Sequence, residues 1–314
     1  MQLRRRTIMI GLFATLLIVI YLFTGISSNW DYILPHRGMK VLAIIVTGGA
    51  IAFSTVIFQT ITTNRILTPS ILGLDSMYLL VQTAVIFWFG SGSMVMMNSQ
   101  YNYLLSVGAM VLFSFILFKW LLKKGENVYL LLLVGIILGT FFSSLSSFMQ
   151  MLINPNEFMM VRDRMFASFN NINTDLLWIS ILLMVLGAVF YLPLHKYIDV
   201  MALGKDHAVN LGVPYDRVVK KLLIIVAILI SVATALVGPI TFLGLLVVNL
   251  AHEFMKTYKH NYLILVSILF GIVALVGGQL IVERVFTFST TISILINFIG
   301  GIYFIYLLLR ENKA

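Results

Sequence analysis

Apolar residues run along this chain in blocks of about twenty, each closed by charged residues, Gly or Pro. A block of that length matches the roughly 20 residues an α-helix needs to cross the hydrocarbon core of a bilayer. The blocks predict spans over 8–24, 41–62, 72–90, 102–122, 128–152, 176–194, 219–237, 240–256, 261–282 and 292–309. The expected fold class is therefore an all-α polytopic membrane protein of about ten transmembrane helices. Across 314 residues these spans leave only short connections, so one transmembrane domain, 1–314, is predicted with no large soluble part. The first block follows Met-Gln-Leu-Arg-Arg-Arg, which resembles the start of a signal peptide. No small-residue cleavage site follows it, so the segment is expected to remain as a span.

Charge tests the count, because a wrong number of spans would scatter Lys and Arg between alternate loops. With the N-terminus inside, one side receives Arg4, Arg5, Arg6, Arg65, Lys119, Lys123, Lys124, Lys196, Lys205, Arg217, Lys220, Lys221, Lys256, Lys259, Arg310 and Lys313. The other keeps Arg37, Lys40, Arg162, Arg164 and Arg284. A bias of 16 to 5 predicts ten spans with both termini cytoplasmic. It also explains the net charge of +9 without invoking nucleic acid. Composition agrees: 60% hydrophobic residues, 11% charged and a mean hydropathy of +1.02 lie far from soluble domains, whose charged share is about 25%.

Several chemistries are excluded or left without support. The chain has no cysteine, which removes disulfides, thiol catalysis and thiolate metal sites. His195, His207, His252 and His260 all fall on the inner side, yet no pair has the spacing of a metal motif, so no metal site is expected. Gly204-Lys205 is followed by Asp206 with no Gly at the required spacing before it, so ATP is not bound through a Walker A loop. Asp75, Glu253 and Glu283 fall near predicted span ends, which leaves the span centres almost free of the ionisable groups that mark ion-coupled carriers. An ion-coupled secondary transporter of a polar organic solute stays open, coupling through carbonyls and hydroxyls. So does a membrane enzyme acting on lipid-linked substrates, for which His252 and Glu253 are the groups to replace. No catalytic residue is assigned.

Two spans carry polar stripes at helical spacing. In the second, Gly48, Ala52, Thr55, Gln59 and Thr62 recur at steps of three and four; in the fifth, Thr140, Ser143, Ser147 and Gln150 do the same. Such a stripe serves either close helix packing or a wettable pathway without fixed charge. The longest cytoplasmic loop, 195–221, holds a charged island, VMALGKDHAVNLGVPYDRVVKK. Ala202-Leu203-Gly204, then six residues, then Leu211-Gly212-Val213-Pro214 reads as two short elements with a Gly break after each. Leu203, Val209 and Leu211 would then stand exposed among charges. Apolar contacts rimmed by charge make a docking surface, which suits a pathway protein that lacks its own ATP site.

That loop resembles the coupling segment of the FecCD-like permeases, the membrane subunits of type II ABC importers for iron-siderophores, haem and cobalamin. Residues 33–73, ILPHRGMKVLAIIVTGGAIAFSTVIFQTITTNRILTPSILG, resemble the family's second span with the Asn and Pro-Ser-x-x-Gly segment after it. GPITFLGLLV at 238–247 resembles its Gly-Pro-Ile-x-Phe-x-Gly-Leu run, and Gly300-Gly301 matches in the last span. The resemblance implies that Ala202, Leu203, Gly204, Leu211, Gly212, Val213 and Pro214 dock on an ATPase subunit, which holds the ATP and Mg, with no cofactor in this chain. It implies that Arg37, Lys40 and Arg284 meet a siderophore-binding protein. Thr55, Gln59, Thr62, Asn64, Ile66, Thr140, Ser143, Ser147 and Gln150 would line the pathway and inner gate. The implied assembly has a second permease chain, identical or homologous, two cytoplasmic ATPases and the binding protein. It would carry an Fe(III)-siderophore, in the catecholate class, across a bacterial cytoplasmic membrane. The chain departs from the family pattern at Val248-Asn249, where Pro-His is usual, at His252, where Arg is expected, and at Met165-Phe166-Ala167-Ser168-Phe169, where a Trp-Met-x-Gly-Ser segment is frequent.

Overall fold

The computed structural model describes residues 2–25, 30–121, 128–170 and 172–311. Lys123, Lys124 and Lys313, counted above on the cytoplasmic side, lie outside the described residues, as does the end of the predicted span 102–122. Among the described residues the secondary structure is helical. It comprises α1 (Gln2–Phe23), α2 (Trp30–Thr62), a 3-10 turn (Pro69–Leu72), α3 (Leu74–Phe89), α4 (Met94–Met97), α5 (Ser99–Leu121) and α6 (Val128–Leu152). These are followed by α7 (Pro155–Met165), α8 (Thr174–Tyr191), α9 (His195–Met201), α10 (Lys205–Asn210), α11 (Tyr215–Val237), α12 (Leu243–Met255), α13 (His260–Arg284) and α14 (Ile292–Glu311). Eight of these helices are long and apolar enough to cross a membrane, and α3 and α12 are shorter apolar helices at the two remaining predicted positions.

Helices α2 and α11 form the centre. In each, 72% of the apolar window is buried, against 17% in α1 and 22% in α6 and α14. The peripheral helices therefore turn most of their Leu, Ile and Phe outward, as a chain solvated by lipid or by a neighbouring chain does. At the centre, backbones approach closely: a Cβ added to Gly271 of α13 would stand 3.1 Å from the carbonyl oxygen of Gly48 in α2. Small residues at a helix crossing allow this, and dispersion and packing hold it.

The spans predicted over 72–90 and 240–256 are represented by shorter apolar helices. Helix α3 has 16 residues and α12 has 13, about 24 and 20 Å of rise against the roughly 30 Å of hydrocarbon. Gly73, in a left-handed conformation with φ 83°, packs against Gly135 and Gly139, so α3 starts partway up α6 rather than level with its end. At the start of α12, Phe242 packs on Gly300 of α14, and its N–H donates to Asn297 Oδ1 at 3.4 Å. Both helices thus begin inside the bundle, where irregular backbone is tolerated because protein groups satisfy it. This corrects the expectation for Asp75. It lies in the first turn of α3, where the hydroxyls of Thr234 and Thr241 donate to it at 3.4 and 3.3 Å. The segment before α3 packs on α6 through Gly73, so the start of the apolar block lies against protein.

Candidate coupling surface, inner cleft and outer face

The island at 195–221 folds as two short helices. Helix α9 is capped by Ala202, Gly204 turns the chain with φ 95°, α10 follows, and Gly212 turns it again with φ 82°. Both glycines have open space around them, so they serve the turn and not a close contact. Ala208 and Val213 point inward and are buried, anchoring the loop on the bundle. Leu203, Val209 and Leu211 are 59%, 50% and 64% exposed. Ala202, Gly212 and Pro214 are exposed as well, and Gly204 is half-buried. The arrangement expected of the loop, apolar tips among charges, is the one observed.

Beside it lies a cleft of about 1040 Å³ between the inner ends of α2, α9, α12 and α13. Gln59, Asn64 and Ile66 line it, together with Asn249, His252 and Glu253. The loop after α2 is held tightly: Gln59 Nε2 donates to the carbonyl of Arg65 at 2.6 Å, and Asn249 Nδ2 donates to the same oxygen at 2.9 Å. Asn64 Oδ1 accepts from the N–H of Ile66 at 2.8 Å. Asn249, a departure from the family pattern, therefore ties α12 to the segment leaving α2.

A second link joins the coupling loop to this cleft, and sequence reasoning missed it. Asp199 of α9 accepts from the backbone N–H of His260 at 3.0 Å and lies 2.7 Å from its Nδ1. The Nε2 of the same ring stands 2.9 Å from Thr60 Oγ1 on α2. Burial opposes ionisation of Asp199, but the backbone N–H and imidazole of His260 outweigh it and hold the carboxyl below its usual range. One imidazole thus joins α9, α13 and α2. His260 was noticed in the sequence as an inner-side histidine, but nothing in its spacing pointed to Asp199 or Thr60.

The two polar stripes part company. In α2, Thr55 is fully buried with its hydroxyl on the carbonyl of Ile51 at 2.8 Å, packed against Gly244 of α12. Thr62 is buried with its hydroxyl on Phe58 at 2.8 Å. Both, expected to line the pathway, are packed inside this chain, and of the stripe only Gln59 reaches the cleft. In α6, Thr140, Ser143 and Ser147 are exposed on the outside of this chain. Ser143 donates to Ser76 at 3.0 Å, and Gln150, half-buried, donates to Ser146 and Thr83 at 3.0 and 3.3 Å.

The three basic residues at the opposite end of the bundle are also unequal. Lys40 is buried and pairs with Glu283 at 3.5 Å, and the same carboxylate oxygen accepts from Tyr21 at 2.8 Å and Gln279 at 2.9 Å. In this chain the charge of Lys40, expected to meet a partner, joins α2 to α13. Arg37 donates to the carbonyls of Tyr21, Leu22 and Thr24 at 3.1, 3.1 and 2.8 Å, and Arg284 to Thr24. Arg284 remains exposed and Arg37 half-exposed.

A family model described as the FecCD transport family matches residues 7–310. The chain is 63% identical over 308 residues to the petrobactin import system permease protein YclO of Bacillus subtilis strain 168, covering 98% of this chain and 97% of that one. It is 38% identical over 287 residues to the petrobactin import system permease protein FatC of Bacillus anthracis, covering 91% and 81%. Among solved structures it matches a chain of a metal-chelate type ABC transporter in an inward-facing conformation, with a TM-score of 0.84 at 21% identity, covering 98% of this chain and 99% of that one.

Proposed function

Because the chain belongs to the FecCD transport family and is a multi-pass permease of the bacterial plasma membrane rather than an enzyme, we propose that it passes an Fe(III)-siderophore into the cytoplasm as one of the two permease chains of an ATP-driven importer. The observation that carries this reading is the 63% identity, over almost the whole of both chains, to a petrobactin permease. We take petrobactin, the siderophore that names these two relatives, as the cargo to test. A second permease chain packs against the exposed face of α6, so that Thr140, Ser143 and Ser147 line the shared pathway. Two ATPase subunits carrying ATP and Mg receive Leu203, Leu211 and their neighbours. A binding protein delivers the chelate at the end marked by Arg37 and Arg284. The Asp199–His260–Thr60 link and the Asn249 and Gln59 bonds to Arg65 then carry movement of the coupling loop to the inner cleft.

The test is uptake of radiolabelled Fe(III)-petrobactin in cells deleted for this chain and complemented with it. The proposal expects uptake that stops on ATP depletion and survives an ionophore. The reverse pattern would assign transport to an ion-coupled carrier, for which Asp75 is the carboxylate to test.

A further inference from the structure

Apart from the inner cleft, α8, α9 and α11 line a second groove of about 800 Å³. Its chemistry changes along its length. Arg217 and Lys221 are four residues apart and so share one face of α11. The same face continues with Ile224 and Ile228, opposite Phe190 of α8, while Lys196 of α9 closes the charged end. Ile228 lies about 10 Å along the axis beyond Lys221, inside the apolar block predicted over 219–237.

All three cations are exposed, and among the described residues no carboxylate lies within ion-pair distance of them. Asp216, next to Arg217, faces Lys205 at 4.0 Å instead. On the orientation set by the Lys and Arg bias, the charged end stands at the cytoplasmic headgroup level and the apolar end at acyl-chain depth. A soluble anion would fill only the first, and a cytoplasmic protein would not reach the second. Basic pockets between membrane helices on this side suit anionic headgroups.

We infer that this groove binds an anionic phospholipid of the cytoplasmic leaflet, its phosphate held by Lys196, Arg217 and Lys221 and an acyl chain lying between Phe190, Ile224 and Ile228. The site adjoins α9, so the bound lipid braces the helix that leads into the coupling loop.

The full-length chain, purified in mild detergent, is titrated with phosphatidylglycerol and with phosphatidylcholine of the same acyl chains, and bound lipid is counted by native mass spectrometry. Phosphatidylglycerol should bind in preference, and Lys196→Gln/Arg217→Gln/Lys221→Gln should weaken it by roughly a hundredfold without changing phosphatidylcholine. Ile228→Trp, which fills the acyl end, should weaken both lipids about tenfold. The charge-keeping Lys221→Arg should bind as the natural chain does. Melting without added lipid identifies any variant that fails to fold, and Arg217→Gln alone then replaces the triple variant. Unchanged phosphatidylglycerol binding in the folded charge variant would overturn the proposal. So would an inert Ile228→Trp, which would leave only diffuse surface attraction, or displacement of the lipid by millimolar inorganic phosphate, which would assign the charged end to a soluble anion.

Discussion

Along α2, small and polar residues recur at Gly48, Ala52, Thr55, Gln59 and Thr62; along α6 they recur at Thr140, Ser143, Ser147 and Gln150. In the linear chain the two patterns are equivalent. In the fold, the first is enclosed by α11, α12 and α13, and the second faces outward except where Gln150 turns in to Thr83 and Ser146. A polar stripe reports that one face of a helix differs from the rest. What covers that face depends on where the helix sits, and α2 is central while α6 is peripheral. Within lipid, a hydroxyl can satisfy itself on the carbonyl one turn back, as Thr55 does on Ile51, so its presence alone does not demand water.

The contrast can be broken most strongly at the backbone contact between α2 and α13. Gly271→Leu places a side chain where a Cβ alone stands 3.1 Å from the Gly48 carbonyl. We expect a loss of about 3 kcal/mol, the upper part of the overpacking range, read as lowered thermal stability in detergent. Thr55→Leu presses a larger side chain on Gly244 and should cost about 2 kcal/mol by the same assay. A smaller effect on stability is expected from Asp199→Asn, which weakens the bond to His260 at a position open to solvent, about 1 kcal/mol. Its carboxyl is held below the usual range in the folded state, so the stability it contributes is present above the ordinary Asp pKa and fades as pH falls through the folded value. Melting profiles of the natural chain and Asp199→Asn should therefore differ at neutral pH and converge in acid. Replacing Thr140, Ser143 and Ser147 together by Ala should change stability by less than about 0.5 kcal/mol, because these side chains are exposed, while lowering siderophore uptake. Uptake unaltered in a folded triple variant would remove α6 from the pathway.

Fold class was legible because membrane helices must be long and apolar, and the two short elements of the loop at 195–221 were legible because Gly204, Gly212 and the exposed Leu203 and Leu211 form a local pattern. The two half-helices were not, since an apolar block does not record whether its first residues lie at a membrane surface or inside a bundle. That is why Asp75 was placed at an edge. Lys40 was read as a docking residue because the resemblance matches it to a basic position at the outer end of the second span, and only the return of Glu283 on α13 shows what its charge pairs with. The Asp199–His260–Thr60 link joins residues 61 and 200 positions apart, a separation that no local spacing encodes.

The most direct test of the account uses the absence of cysteine in this sequence, which makes an introduced thiol the only one in this chain, so labelling is read on this chain after separation from its partners. Ser143→Cys, Ser147→Cys and Thr55→Cys are each treated with a membrane-impermeant maleimide in the assembled importer, with and without siderophore. The account predicts that the two α6 thiols are labelled and are protected by siderophore, and that the α2 thiol stays unreactive. Labelling at Thr55→Cys with both α6 thiols silent would contradict it.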